Sequence, residues 1–177
     1  MIHFILGGAR SGKSRFAESL VYDFSEQGRD SVYIATAQAL DDEMAQRIAQ
    51  HKMTRSQSGV QWQVIECPLL LSQGLVDHMS PNSVILVDCL TLWLTNQLLH
   101  NERHWSQVKA DFLQTLTQVD GELILVSNEV GLGIVPMGEI NRRFIDEAGW
   151  LHQDIAQLAE RVTLITAGLP QHLKGGD

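Results

Sequence analysis

A chain of 177 residues with 44% apolar content can bury one good core and is short for two, so it reads as a single domain over residues 1–177. The formal net charge of −8 argues against a nucleic-acid or anionic-membrane surface, since either would need a basic footprint built against the overall field. Small-molecule chemistry in the cytoplasm is expected: Cys67 and Cys89 lack metal-ligand spacing, no secretory pattern precedes them, and no apolar stretch approaches the roughly 20 residues of a membrane span.

The first element is an apolar run over residues 2–6, where Ile2, Phe4, Ile5 and Leu6 give a buried-strand pattern. Gly7-Gly8-Ala9-Arg10-Ser11-Gly12-Lys13-Ser14 follows at once and fits the phosphate-cradling pattern G-x-x-x-x-G-K-[ST]. A helical stretch over 15–26 comes next, with Phe16, Leu20 and Phe24 spaced four apart. Strand, glycine-rich loop and helix are the context this motif demands. The loop amides and the positive end of the helix bind polyphosphate oxygens, Lys13 reaches the β- and γ-phosphates, and Ser14 can hold Mg²⁺. A nucleoside triphosphate with Mg²⁺ is the prediction.

A second strand is expected over 31–35 and a second helix from Asp41 to about Arg55, opened by the acids Asp41-Asp42-Glu43 that complement its dipole. Arg47, His51 and Arg55 then stack along one stripe at a spacing of four, with Lys52 beside His51. Mutual repulsion along the stripe would keep the imidazole neutral, and a neutral imidazole between guanidiniums suits attack on a phosphoryl group. The same pattern also describes a solvated basic face with an incidental histidine.

Further strands are expected over 60–65, 83–87, 122–126 and 162–166, alternating with amphipathic stretches. That alternation spells an α/β fold with a mainly parallel central sheet flanked by helices, in which ligands lie at the carboxyl ends of the strands. The positions just after the runs are therefore candidates: Thr36, Ala37 and Gln38; Glu66; Asp88; and Ser127, Asn128 and Glu129. Val84-Ile85-Leu86-Val87-Asp88 has the form of a Walker B strand whose carboxylate orients Mg²⁺ or its water, the alternative being that Asp88 merely caps the helix starting near Leu90. Glu66 could accept hydrogen bonds from a guanine edge or be a surface acid. The loop from Ser127 to Pro136 carries Gly131 and Gly133 and reads either as a shaped part of the site or as a packed turn. His3, His78, His100, His104, His152 and His172 read as strand-side, surface or helix-end residues; Trp93, Trp105 and Trp150 as core, subunit-contact or ring-packing residues; and residues 174–177 as a frayed tail.

Taken together, the phosphate loop, Tyr33-Ile34-Ala35-Thr36-Ala37, Asp41-Asp42-Glu43-Met44, Arg47-Ile48-x-x-His51 and Asn128-Glu129-Val130-Gly131-x-Gly133-Ile134-Val135-Pro136 resemble one family. It is the bifunctional adenosylcobinamide kinase / adenosylcobinamide-phosphate guanylyltransferase family of cobalamin biosynthesis. The resemblance runs through nearly the whole chain in order. It implies a recombinase-like P-loop NTPase fold assembled as a trimer, with GTP and ATP as nucleotide substrates and a corrinoid as acceptor. It further implies that His51 attacks the α-phosphate of GTP and carries GMP as a phosphoramidate, that Lys13 serves both reactions, and that Ser14 and Asp88 position Mg²⁺. Thr36, Ala37, Lys52, Arg55 and Glu66 match its nucleotide-contacting positions. The family often has Glu where this chain has Asp88, which leaves direct or water-mediated metal contact open.

Overall fold

Short Val-, Ile- and Leu-rich runs separated by amphipathic helices can bury both faces of every strand only by laying the helices over a parallel sheet. A computed structural model, which describes residues 1–39, 41–134 and 136–176, has this arrangement. Val135 of the predicted fifth-strand loop and Asp177 of the tail lie outside the described residues. The strands are β1 (Ile2–Gly7), β2 (Asp30–Ala35), β3 (Trp62–Glu66), β4 (Ser83–Asp88), β5 (Glu122–Asn128), β6 (Arg161–Thr166) and β7 (Leu169–Lys174). The helices are α1 (Lys13–Glu26), α2 (Asp42–Ser56), α3 (Leu71–His78), α4 (Leu90–Asn101), α5 (Trp105–Leu116) and α6 (Glu139–Leu158), with a 3₁₀ turn at Glu102–His104 before α5. The sheet order is β3-β2-β4-β5-β1-β6-β7, parallel throughout except for the β6–β7 pair.

Successive side chains of a strand point to opposite faces, and the core divides accordingly. Ile5, Tyr33, Leu86, Ile124 and Val126 pack with Ala17 and Val21 of α1 on one face. Phe4, Ile34, Ile85, Val87 and Leu125 pack on the other with α3 to α6. Trp93 and Trp105 are fully buried there, 5.4 Å apart between ring centroids, and Phe112 lies 4.8 Å from Trp93. They belong to the core and are out of reach of a corrin ring, whereas Trp150 is exposed. No helix among the described residues is long and apolar enough to cross a membrane.

The helix after the phosphate loop begins at Lys13, two residues before the predicted start, because Gly12 feeds the loop straight into the first turn as its N-cap. Strand β7 has no counterpart among the runs expected from the sequence. Leu169-Pro170-Gln171-His172-Leu173-Lys174 is exposed along its whole length and carries a proline, so no burial alternation marks it. A two-residue turn, Ala167-Gly168, makes the hairpin, and both residues have positive φ, 53° and 80°. Lys174, expected in a frayed tail, is instead tied down: its ammonium donates to the Ala156 and Gln157 carbonyls at 3.0 Å each, satisfying the C-terminal end of α6.

His3, expected beside the first strand, is a residue of β1 and is buried there, with Nε2 2.8 Å from Thr163 Oγ1. Burial, and secondarily the charges of Arg161 and His172, push its pKa down from 6.5 to about 4. The folded state therefore binds fewer protons at this site than the unfolded chain between those two values. Its contribution to stability is complete above the unfolded value and is lost as pH falls through about 4. Replacing the imidazole by an amide that cannot protonate, His3→Gln, should flatten that part of the profile. Unfolding free energies from urea titrations between pH 7 and pH 4 should fall less steeply for the variant, the difference approaching on the order of 3 kcal/mol; parallel curves would contradict the assignment.

Candidate functional site

The parallel register collects the carboxyl ends of β1, β2, β4 and β5 along one edge, with Gly7 opposite Asn128, Ala35 opposite both Glu66 and Asp88, and Asp88 opposite Val126. The phosphate loop leaves this edge at Gly7. A Cβ there would stand 2.7 Å from the Ile165 carbonyl oxygen and would also clash with the Ser11 hydroxyl, so only glycine lets the loop close onto β6. Arg10 and Gly12 both lie in the left-handed region, with φ of 56° and 98°, and Ser11 N–H donates to the Gly8 carbonyl at 3.2 Å. Alternation of this kind turns successive amides inward to form an anion-binding concavity. Gly8, Ala9 and Arg10 are exposed on its rim, and no side chain caps the N-terminus of α1. The β6–β7 turn braces the loop from behind: Gly168 N–H donates to the Ser11 carbonyl at 2.8 Å.

Lys13 is 9% exposed and its ammonium donates to the Gly8 carbonyl at 3.1 Å, folded back over the loop. Burial draws its pKa below the ordinary lysine value; Asp88 and Cys89 oppose that, and Arg47 adds to it. Ser14 occupies the first turn of α1, and Asp88 ends β4, where it accepts a hydrogen bond from the Tyr33 hydroxyl on Oδ2 at 3.3 Å. Burial, then the Asp88 carboxylate, holds the Tyr33 phenol protonated, so it remains a donor. Asp88 does not cap α4, whose N-cap is Cys89 without a side-chain bond. A hydroxyl and an anchored carboxylate form a hard-oxygen pair that fits Mg²⁺, a cation that keeps waters and takes phosphate oxygens as its other ligands.

Two predicted nucleotide contacts have other duties. Thr36 has no exposed surface; its hydroxyl donates to the Cys89 carbonyl at 2.7 Å and accepts from the Cys89 N–H at 2.9 Å. It clasps the end of β2 to the end of β4, so the side chain shapes the edge from beneath, and the half-buried Ala37 is the next residue along. Arg55 is 5% exposed, with its guanidinium carbon 3.7 Å from the centre of the Tyr33 ring. It is the one buried residue of α2.

That burial changes the picture of the basic stripe. In place of three mutually repelling charges on a solvated face, Arg47 Nε lies 3.6 Å from Glu43 Oε1 and Arg55 turns inward onto Tyr33. Both arginines nevertheless bear on the site: Arg47 adds to the burial that draws the Lys13 pKa down, and burial and then Asp88 push the pKa of the half-buried Glu18 on α1 up, with the Arg55 charge opposing them. His51 is exposed and stands midway between them at helical spacing, on the same side of α2. Lys52 Nζ meets Glu66 Oε1 at 3.2 Å, joining α2 to the end of β3 through a largely exposed pair that adds under about 1 kcal/mol. Glu18 and Tyr33 are not among the candidates that sequence reasoning singles out. Spacing offers a signal for Glu18, which lies one turn after Ser14 on α1.

Behind the loop, a buried polar chain runs from α4 to α6. Asn128 N–H donates to Thr91 Oγ1 at 2.6 Å, Thr91 and Ser127 hydroxyls are 3.1 Å apart, and Ser127 Oγ is 2.8 Å from His152 Nε2. His152, a surface or helix-end residue by its sequence pattern, lies buried on the inner face of α6, where this chain gives its ring a polar partner. Its Nδ1 points toward Glu129 Oε2 at 4.0 Å, while Glu129 Oε1 accepts from Gly131 N–H at 2.6 Å and Glu129 N–H donates to the Gly7 carbonyl at 3.0 Å.

A phosphate loop on an α/β sheet, with a lysine and a Walker B-type carboxylate at its strand ends, defines a P-loop nucleotide-binding protein. Two solved structures share the fold. One is an ATPase domain, with a TM-score of 0.52 and 14% identity over 92% of this chain and 68% of that one. The other is the flagellar accessory protein FlaH from Methanocaldococcus jannaschii, with a TM-score of 0.56 and 16% identity over 99% of this chain and 80% of that one. Residues 3–173 match the family model described as cobinamide kinase / cobinamide phosphate guanyltransferase. The bifunctional adenosylcobalamin biosynthesis protein CobP of Pseudomonas aeruginosa is 51% identical over 99% of this chain and 98% of its own length. The corresponding CobU proteins of Salmonella typhimurium and Escherichia coli are 36% and 35% identical over 98% of this chain and all of their own. The chain belongs to the bifunctional cobinamide kinase / cobinamide-phosphate guanylyltransferase family of cobalamin biosynthesis.

The lone buried anchor of α2 yields a direct test. Arg55→Ala should release the helix from Tyr33 while leaving the sheet intact. Amide exchange over residues 42–56 should speed up by about tenfold or more in the variant, with β1 and β4 unchanged; unaltered exchange in α2 would show that the helix is held by something else.

Proposed function

We propose that a single unit spanning residues 1–177 runs both reactions over one phosphate loop, with His51 as the nucleophile of the guanylyl half. The observation that carries this reading is geometric: His51 lies one helical turn from both Arg47 and Arg55 on α2, and Arg55 stacks on Tyr33, whose hydroxyl donates to Asp88 at the strand-end edge. In the kinase half, ATP or GTP gives its γ-phosphoryl group to the hydroxyl of adenosylcobinamide. In the transferase half, the His51 imidazole attacks the α-phosphorus of GTP and pyrophosphate leaves. The phosphate of adenosylcobinamide phosphate then displaces the imidazole and takes GMP, giving adenosylcobinamide-GDP.

Gly7, Gly8, Ala9, Arg10, Ser11 and Gly12 supply the amide cradle, and Lys13 swings from the Gly8 carbonyl to the phosphates once an anion competes for it. Both reactions move charge onto phosphate oxygens, so both draw on fixed donors in this cradle. Ser14 and Asp88 would hold Mg²⁺, which when bound neutralises the triphosphate charge. Glu66 at the end of β3, paired with Lys52, is the acceptor for a guanine edge, with Ala37 beside the base. Residence in the cytoplasm and assembly into a homotrimer complete the reading, which family membership supports.

Incubation with α-labelled GTP and Mg²⁺ tests the covalent step. The wild type should retain acid-labile, alkali-stable label, and His51→Ala should retain none while phosphorylating cobinamide within about threefold of the wild-type rate. Lys13→Ala should lose about a hundredfold or more in both assays. Label persisting on His51→Ala would refute the assignment, as would a folded His51→Ala protein inactive in both.

A further inference from the structure

If His51 serves only the guanylyl half, another group must take the proton that the corrinoid hydroxyl loses when it attacks the γ-phosphorus. Among the described residues, four acids stand at or near the strand-end edge. Glu66 lies on the outermost strand and is paired with Lys52. Asp88 is bonded to Tyr33 and assigned to the cation. Glu18 sits along α1, a full turn past Ser14. Glu129 alone follows β5, the strand hydrogen-bonded to β1, and its own backbone N–H is fastened to the Gly7 carbonyl at 3.0 Å.

The side chain is also prepared. Gly131 N–H holds Oε1 at 2.6 Å, and the carboxylate still keeps 23% of its surface exposed. The polar chain behind it holds the His152 ring in place: Asn128 N–H donates to Thr91 Oγ1 at 2.6 Å, the Thr91 and Ser127 hydroxyls are 3.1 Å apart, and Ser127 Oγ lies 2.8 Å from His152 Nε2. The other ring nitrogen, Nδ1, faces Glu129 Oε2 across 4.0 Å. Burial keeps this imidazole from taking a second proton easily. The arrangement orients a carboxylate without neutralising it, and distances of this kind shorten when substrate is bound. Beyond Glu129, the same segment presents Leu132, Ile134 and Met137 almost wholly to solvent, an apolar surface suited to a large acceptor and not to water.

We propose that Glu129 is the general base of the kinase half and that His152 is its positioning residue. The hydroxyl oxygen of the corrinoid bonds to the γ-phosphorus, its proton passes to the Glu129 carboxylate, and the bond from that phosphorus to the β-phosphate oxygen breaks, leaving the nucleoside diphosphate with the electron pair. The inference rests on the kinase activity of the family, which the wild-type protein must show with cobinamide before any variant is compared.

Glu129→Gln removes the base while keeping an acceptor for Gly131. Its kcat for cobinamide phosphorylation should fall about a hundredfold or more with KM changed less than about threefold, while GMP loading onto His51 from labelled GTP stays at the wild-type level. Formate added to Glu129→Ala should restore part of the lost rate, which a structural role would not allow. His152→Gln should lower kcat by a smaller factor and respond to no added acid. Kinase turnover of Glu129→Gln within about threefold of wild type would overturn the proposal. So would loss of GMP loading together with the kinase, because Glu129 would then be shaping the nucleotide site itself.

Discussion

Parallel pairing of β2, β4, β5 and β1 is the constraint on which everything else in the molecule depends. Parallel strands need long crossovers, and the crossovers cover both faces with helices, so every functional group is driven to the one edge where strands end and helices have yet to begin. The register then sets neighbours with no further freedom: Gly7 beside Asn128, Asp88 beside Ala35. The Thr36 hydroxyl locks two of those strand ends together by binding both backbone groups of Cys89. The ends of β2 and β4 beneath the phosphate loop are thereby fixed to one another.

The opposite is true of α2. Fourteen of its fifteen residues escape burial, and its charged side chains reach the body through a cation–π stack and one exposed ion pair. A helix held so lightly can change its distance to the loop at little cost, whereas α1 and the sheet cannot. Two reactions at different phosphorus atoms of a triphosphate need different groups close by at different times. With His51 as the proposed nucleophile, the loosely held element and the rigid cradle would each meet one of these requirements.

Periodicity alone yields six strands and the α/β class, because the inner parallel strands are buried on both faces and read as apolar runs, while the exposed edge strand β3 still carries Trp62, Val64 and Ile65. The phosphate loop is legible for a different reason: Gly7, Gly12, Lys13 and Ser14 are each demanded by backbone conformation or by charge at a fixed spacing. The seventh strand escapes notice because an exposed edge has no apolar imprint, and only the positive-φ pair Ala167-Gly168 betrays it. Pairings between distant segments are equally hidden. Arg55 on Tyr33, Thr36 on Cys89 and His152 on Ser127 join residues far apart in the chain, and nothing in a local pattern announces them. His51 stands out through resemblance, since spacing fits a solvated face as well as a nucleophile.

The hairpin strand β7 has a consequence for how copies of this protein can meet. An uncovered edge strand is a template that another chain can extend, and Pro170, Lys174 and the register shift opposite Val162 and Thr163 each spoil that template. Fibre-like growth by strand addition is blocked on this side. On this side, copies that associate are left to do so through helix and loop surfaces, and the strand that shields this edge from runaway pairing is the one whose turn props up the phosphate loop.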